Sequence, residues 1–218
     1  MTNNFDLIYN LLEFKDKNDF YFIQLIRRPK ENPGLKEGKG NQTRCVKSYY
    51  IKSKEHLLKV KDEIIELCNI FNARAYIKIN YCDERKIGLQ MLRQLTEYVL
   101  YDDFSGVKRL YDSCCGKYGG DDKERKYWII DVDFDFDEES GKCENSTSKQ
   151  VGKCENIIEV IENKCEPFDK NKVITTIPTK NGLHILTKPF NQMRLKEEIK
   201  DFNIDDIKKH ALTILYIP

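Results

Sequence analysis

Between Tyr127 and Asp137 the chain reads Tyr-Trp-Ile-Ile-Asp-Val-Asp-Phe-Asp-Phe-Asp. Acid and apolar residue alternate with a period of two, the side-chain period of a β-strand. In a strand, Asp131, Asp133, Asp135 and Asp137 project from one face, and Val132, Phe134 and Phe136 from the other. Same-face neighbours lie roughly 6.5–7 Å apart. Carboxylates in such a row repel one another, and each disfavours ionisation of the next. Water relieves the repulsion where a strand end protrudes. A divalent cation relieves it where the strand is fixed, and an oxygen-rich site suits Mg²⁺, Mn²⁺ or Ca²⁺. The alternative reading is a strand that runs out into an acidic loop, since Glu138 and Glu139 follow.

Two later segments carry matching chemistry. Gly182-Leu183-His184 follows the turn Thr179-Lys180-Asn181-Gly182, and Asp205-Asp206 precedes the last apolar run. Alone, a strand histidine reads as structural and an Asp-Asp pair as a cap. Together the three segments describe a phosphoryl-transfer site. Asp131 and Asp133 on one strand, with Asp205 or Asp206 on a neighbour, hold one or two Mg²⁺ or Mn²⁺ ions. Such ions stabilise the attacking and leaving oxygens of an in-line displacement. His184 contacts a triphosphate, Gly182 allows close backbone approach, and Lys180 adds positive charge. Asp135 and Asp137 read as the solvated continuation of the strand.

The ordered segments resemble the archaeo-eukaryotic primase superfamily, whose signature is an Asp-x-Asp strand, a small-x-His strand and a hydrophobic-Asp segment. Here these read Asp131-Val132-Asp133, Gly182-Leu183-His184, and Ile204-Asp205 or Asp206-Ile207. The resemblance implies that Asp131, Asp133 and Asp205 or Asp206 bind catalytic metals and that His184 binds the phosphates of an incoming nucleotide. It implies an RRM-like antiparallel sheet with helices on one face, packed with an N-terminal α/β unit. By motif it covers residues 125–218, and by architecture alone the remainder. The implied partners are nucleoside triphosphates, a nucleic acid (DNA in preference to RNA), and a helicase or other replication protein. Gly182 replaces the more usual serine, which removes one phosphate contact. Residues 176–182 and 215–218 also resemble small phage and mobile-element proteins, to which no activity attaches.

Two other functions remain open on the residues alone. The same carboxylates and His184 suit a nuclease or phosphoesterase, with His184 as general acid or base. A non-catalytic nucleic-acid or nucleotide-binding module would instead use aromatic strands and a basic loop.

The elements that must position these groups form an α+β pattern. Residues 1–122 are expected to form the N-terminal unit and residues 123–218 the catalytic unit. In the first, helical spacing covers 5–14, and Phe20–Arg27, Cys45–Ile51 and Arg74–Tyr81 read as strands. Arg74, Tyr76, Lys78 and Asn80 share a strand face that could meet nucleic acid or solvent. Ser53 and Asp83 are placed to cap two helices. The second of these is expected to bury Ile87, Leu89, Met91, Leu92, Leu95, Val99 and Leu100. Residues 28–44 contain two prolines, three glycines and five basic residues, which reads as a phosphate-contacting flap or a solvated loop. The second half reads β-α-β-β-α-β, with Leu212–Ile217 as the last strand.

The 218 residues suffice for one large or two small domains with a sizeable core. Charged residues make up 33% of the chain while the net charge is only +1, so a nucleic-acid site must be a local patch. No apolar run spans a membrane and no export signal opens the sequence, which places the protein in the cytoplasm. Eight cysteines without a C-x-x-C pair argue against both a disulfide framework and a zinc ribbon. Cys68 reads as a core residue, and Cys114 and Cys115 as ordinary thiols. Gly141-Lys142-Cys143-Glu144-Asn145 recurs eleven residues later as Gly152-Lys153-Cys154-Glu155-Asn156, and partly as Asn163-Lys164-Cys165-Glu166. Local duplication accounts for this better than three metal ligands do.

Overall fold

The computed structural model describes residues 1–33, 35, 44–133, 146–168, 171–200, 202–210 and 212–218; for 44 and 146–151 it describes the backbone alone. Chain order is β1 (Thr2–Asn3), α1 (Phe5–Leu11), β2 (Asp19–Arg27), β3 (Arg44–Ile51), α2 (Lys54–Phe71), β4 (Arg74–Lys78), β5 (Cys82–Asp83), α3 (Glu84–Leu100), α4 (Leu110–Lys117), β6 (Trp128–Asp133), α5 (Ser146–Lys164), β7 (Val173–Pro178), β8 (Gly182–Thr187), α6 (Gln192–Glu198), β9 (Ile207–Lys208) and β10 (Leu212–Ile217). The fold is α+β, and every described strand pairing is antiparallel. Two compact units emerge: Met1–Arg125 with His210–Pro218, and Lys126–Lys209.

In the first unit the sheet order is β1-β10-β4-β2-β3, with β5 on the end of β2. Strand β2 is buried on both faces. Phe20 and Phe22 pack with Ile87, Leu110, Cys114 and Cys115 of α3 and α4. Tyr21, Ile23 and Leu25 fill the opposite face. Both expected caps form: Ser53 accepts a hydrogen bond from the His56 N–H and Asp83 from the Lys86 N–H, each satisfying an orphan first-turn donor.

Three expectations fail in this unit. Strand β10 was expected to complete the second sheet, yet it pairs with β4 and β1 of the first. Five of the six β10 residues are apolar and all but Leu212 are buried, which fits a strand with both faces covered. On the β4 face expected to meet solvent or nucleic acid, Arg74 and Lys78 are buried, while Tyr76 and Asn80 are half-buried. Lys78 is wholly buried and donates to the Cys115 and Tyr118 carbonyls at 2.7 and 2.6 Å, which satisfies the C-terminal end of α4; burial pushes its ammonium pKa down. Arg74, also buried, pairs with Glu31 at 2.9 Å. Helix α3 buries Ile87 and packs Met91, Leu95 and Tyr98 on the core, while Leu89, Leu92, Val99 and Leu100 stay exposed.

Cys68, Cys114 and Cys115 are packing residues. Cys68 is fully buried, and burial pushes its thiol up to about 12. Cys114 is likewise raised by burial, and Cys115 by the neighbouring Cys82 thiol and burial. All are poor nucleophiles there.

A buried ion pair ties the start of β2 to the segment before β6. Arg125 and Asp19 are 6% and 3% exposed and lie 2.6 Å apart; the same guanidinium reaches Asp122 at 2.9 Å and stacks on the Tyr81 ring at 3.6 Å. Burial alone would raise the Asp19 pKa. The Arg125 hydrogen bond and the N–H groups of Lys15 and Asp16 outweigh it and hold the group below its ordinary 3.8. Arg125 holds Asp122 at about 2. Depressed carboxyl pKa values confer stability that is present above pH 3.8 and lost as pH falls toward about 2. Asp19→Asn is expected to cost this unit about 2 kcal/mol at pH 7, with the deficit shrinking in acid. Urea melts at neutral and acid pH measure it.

The second unit has sheet order β7-β8-β6-β9, the β-α-β-β-α-β arrangement expected for an RRM-like sheet. Its fourth strand is the two-residue β9. Ile130, Val132 and Ile185 on one face pack with Cys154, Ile157, Val160 and Ile161 of α5 and Leu195 of α6, so both helices cover that face. Cys154 and Cys165 are both in this core. Eleven residues span about three helical turns, so the repeat returns its cysteine to the buried side. The first copy, Gly141–Asn145, lies outside the described residues, as do Asp135, Asp137, Gly34 and residues 36–43 of the basic loop.

Among the described residues no helix is long and apolar enough to cross a membrane.

Candidate active site

Strand β6 places the candidate acids. Trp128, Ile130 and Val132 turn toward the helices, so Asp131 and Asp133 project from the opposite face. The β6–β8 register sets Asp131 directly across from His184, and Asp133 across from Gly182. His184 Nε2 lies 3.3 Å from Asp131 Oδ1, with the imidazole 13% exposed and the carboxylate 39%. The hydrogen bond from His184 holds the Asp131 carboxyl below its ordinary value against the opposing effect of burial; the charges of His184 and Lys208 add to it.

Gly182 is required by close packing. A Cβ there would sit 2.0 Å from the Val132 carbonyl oxygen and 3.0 Å from Asp133 Cα. The absence of a side chain lets β8 close onto β6 beside the two acids. The backbone that Gly182 admits is that of β6.

The third acid is placed by a short turn. Asn203 caps Ile204–Asp206, its side chain accepting from the Asp205 N–H at 3.1 Å. Asp205 is exposed, and its carbonyl accepts from Lys208. Asp206 is half-buried. Burial raises its carboxyl above the ordinary value, the charges of Asp131 and Asp133 push it further, and Lys208 and Lys153 oppose the rise. Asp206 is therefore the acid within electrostatic reach of the pair on β6. Lys180 stands exposed at the tip of the β7–β8 hairpin, at the Gly182–Asp133 end of the sheet.

Asp131, Asp133, Asp206 and His184 thus share one region. Lys153 and Lys208 join it, and neither stood out in the sequence. The signals were available: Lys208 follows Asp206 by two residues, and Lys153 lies in the second copy of the eleven-residue repeat, beside a cysteine that must face the core. Among the described residues no three His, Cys, Asp or Glu side chains are gathered tightly enough to enclose a metal ion. Burial is the first cause of the raised Asp206 carboxyl, and Asp131 and Asp133 add to it against Lys208 and Lys153; carboxylates are the ligand type that a hard divalent cation takes.

Asp206→Asn removes that repulsion. The variant is expected to melt slightly higher than the parent in metal-free buffer at pH 7, by about 0.5 kcal/mol. The gain vanishes as pH falls through the raised Asp206 pKa, where the parent carboxyl is protonated too. Added Mn²⁺ should stabilise the parent and not the variant, which thermal melts with and without the ion measure.

No protein-family model, curated protein or solved structure matches this chain.

Proposed function

We propose that the Lys126–Lys209 unit is the catalytic part of a metal-dependent nucleotidyltransferase of primase-polymerase type, using nucleoside triphosphates on a nucleic-acid template. The observation that carries this reading is the Asp131–His184 pair held in register across two strands, with Asp206, raised first by burial and further by Asp131 and Asp133, in the same region. It joins the three sequence segments that resemble the primase superfamily in a sheet of RRM-like order.

Asp131, Asp133 and Asp206 would hold Mg²⁺ or Mn²⁺, which when bound supplies charge stabilisation to the transferring phosphoryl group and lowers the pKa of the attacking hydroxyl. Asp131 orients His184, so the imidazole presents a fixed donor to an incoming phosphate oxygen. Lys180, at the hairpin tip, adds a flexible positive charge at the same end of the sheet. Gly182 keeps β8 close to β6, so the spacing of Asp131, Asp133 and His184 is set by two paired backbones. The test is incorporation of labelled nucleotides on single-stranded templates with Mn²⁺ by the full chain.

A second reading shares the site. An imidazole hydrogen-bonded to a carboxylate is also the arrangement of a general acid–base pair, so a nuclease or phosphoesterase would use His184 to protonate a leaving oxygen. Loss of labelled oligonucleotide without nucleotide incorporation selects that chemistry. For a non-catalytic binding module the β4 face offers only its half-buried Tyr76 and Asn80, since Arg74 and Lys78 are buried.

A further inference from the structure

Within the first unit, α3 and the end of α4 border an open cleft of about 500 Å³, within the size range of small-molecule sites. One wall is a single face of α3, because Arg93, Glu97 and Tyr101 follow one another at intervals of four, and so do Gln94 and Tyr98. Lys117 and Tyr118, at the end of α4, form the other wall. Two of the phenols are held in place. Tyr98 and Tyr118 pack on the buried cluster around Phe20 and Phe22, and the Tyr118 hydroxyl accepts from Gln94 Nε2 at 3.2 Å. Tyr101 is 81% exposed, which leaves its ring open to a ligand. Walls fixed by the core make a preformed site.

The two ends of the cleft differ in chemistry. From Arg93 to Tyr101 the helix rises about 12 Å. The Gln94–Tyr118 bond brings the end of α4 to the Arg93 end, and Lys117 adds a second cation to the lining. Arg93 is 76% exposed, and its pairing with Glu97 is a 4.0 Å contact. At the other end Asp103 lies beside Tyr101. The Ser105 hydroxyl and N–H hold the Asp103 carboxyl below its ordinary value, so it is an ionised acceptor at neutral pH. Cations at one end, with an aromatic ring and an acceptor about 12 Å away, match the two ends of a nucleotide. The phosphate takes the cations, and the base stacks on tyrosine and donates N–H groups. An apolar ligand would leave this lining unpaired, and a lone phosphate would use one end only. Guanine has adjacent N1–H and N2–H donors that one carboxylate accepts together. Adenine offers one donor beside a ring acceptor that a carboxylate repels.

We propose that this cleft binds a guanine nucleotide, free or as one unit of a single strand, with its phosphate on Arg93 and Lys117 and its base between Tyr101 and Asp103. This binding is independent of the carboxylate site. Calorimetric titration of the full chain with GMP and AMP tests it, alongside fluorescence anisotropy of labelled eight-nucleotide strands carrying one guanine or one adenine among thymines. Chelator in the buffer keeps metal-dependent binding at Asp131, Asp133 and Asp206 silent. The guanine ligand should bind with a dissociation constant of roughly 10–300 μM, and its adenine counterpart about tenfold more weakly. Arg93→Gln and Tyr101→Ala, both at exposed positions, should each weaken it about tenfold with an unchanged melting temperature. Asp103→Asn should erase the preference for guanine and leave adenine binding as it was. Glu97→Gln should tighten binding about twofold, because it removes a negative charge beside the phosphate. Strand binding without GMP binding assigns the site to nucleic acid, and GMP binding assigns it to the free nucleotide. Three results overturn the proposal: no binding of either guanine ligand, adenine bound as tightly as guanine, or guanine binding that ignores both Arg93→Gln and Tyr101→Ala.

Discussion

Asp131→Asn is expected to lower Mn²⁺-dependent nucleotide incorporation about 10³-fold or more, with the fold retained. Asparagine preserves the shape of the side chain and can still accept a hydrogen bond from His184. It removes the charge that shares the field with Asp133 and Asp206. Loss of one preorganised electrostatic group from a phosphoryl-transfer site costs about 10²–10³ in rate, and a metal ligand stands at the upper end because ion occupancy falls as well. Two controls separate chemistry from folding. The 39% exposed carboxylate is not a core group, so the melting temperature should barely move. Asp205→Asn, on the exposed neighbour of Asp206, should keep most of the activity. Equal losses from Asp205→Asn and Asp206→Asn would show that the turn Ile204–Asp206 matters as a unit and that Asp206 has no separate role.

Gly182→Ala is expected to destabilise the second unit by about 3 kcal/mol and to abolish Mn²⁺ stabilisation. The added methyl group would sit 2.0 Å from a backbone oxygen of β6. A rotamer change cannot relieve such a contact. Either β8 moves away from β6 near Asp133, breaking the Gly182–Asp133 register, or the strand end peels off. Overpacking in a tight site costs about 1–3 kcal/mol, and contact with backbone falls at the high end. Urea unfolding measures the stability term. Serine at this position, the more usual residue in the superfamily this segment resembles, should be no better tolerated than alanine. A serine variant as stable as the parent would show that the strands have room to separate and that glycine is not required by packing.

Much of the site could be read from residue spacing because it depends on strand parity. Alternation in Trp128–Asp133 fixes which acids share a face, and the Asn-Gly turn after β7 returns the chain so that His184 runs antiparallel to them. The choice between Asp205 and Asp206 could not be read that way. It depends on where Asn203 caps a three-residue turn, and both acids satisfy the same hydrophobic-Asp pattern. The helices were visible from their apolar spacing and their Ser53 and Asp83 caps. What escaped was pairing over long sequence distances. Leu212–Ile217 was recognisable as a strand, but nothing local reveals that its partners are Thr2–Asn3 and Arg74–Lys78. The burial of Lys78 escaped for the same reason: a lysine at an alternating position looks solvated until the open carbonyls of α4 are found above it. Helix α3 shows the opposite failure, since an apolar pattern wide enough for two faces does not say that only one of them meets the core.

The most direct test of the proposed site is Mn²⁺ anomalous scattering from crystals of the full chain soaked with Mn²⁺ and a non-hydrolysable nucleoside triphosphate. Mn²⁺ held by Asp131, Asp133 and Asp206, with the triphosphate against His184, is the expected result. Mn²⁺ bound elsewhere, or a triphosphate that avoids His184, contradicts it.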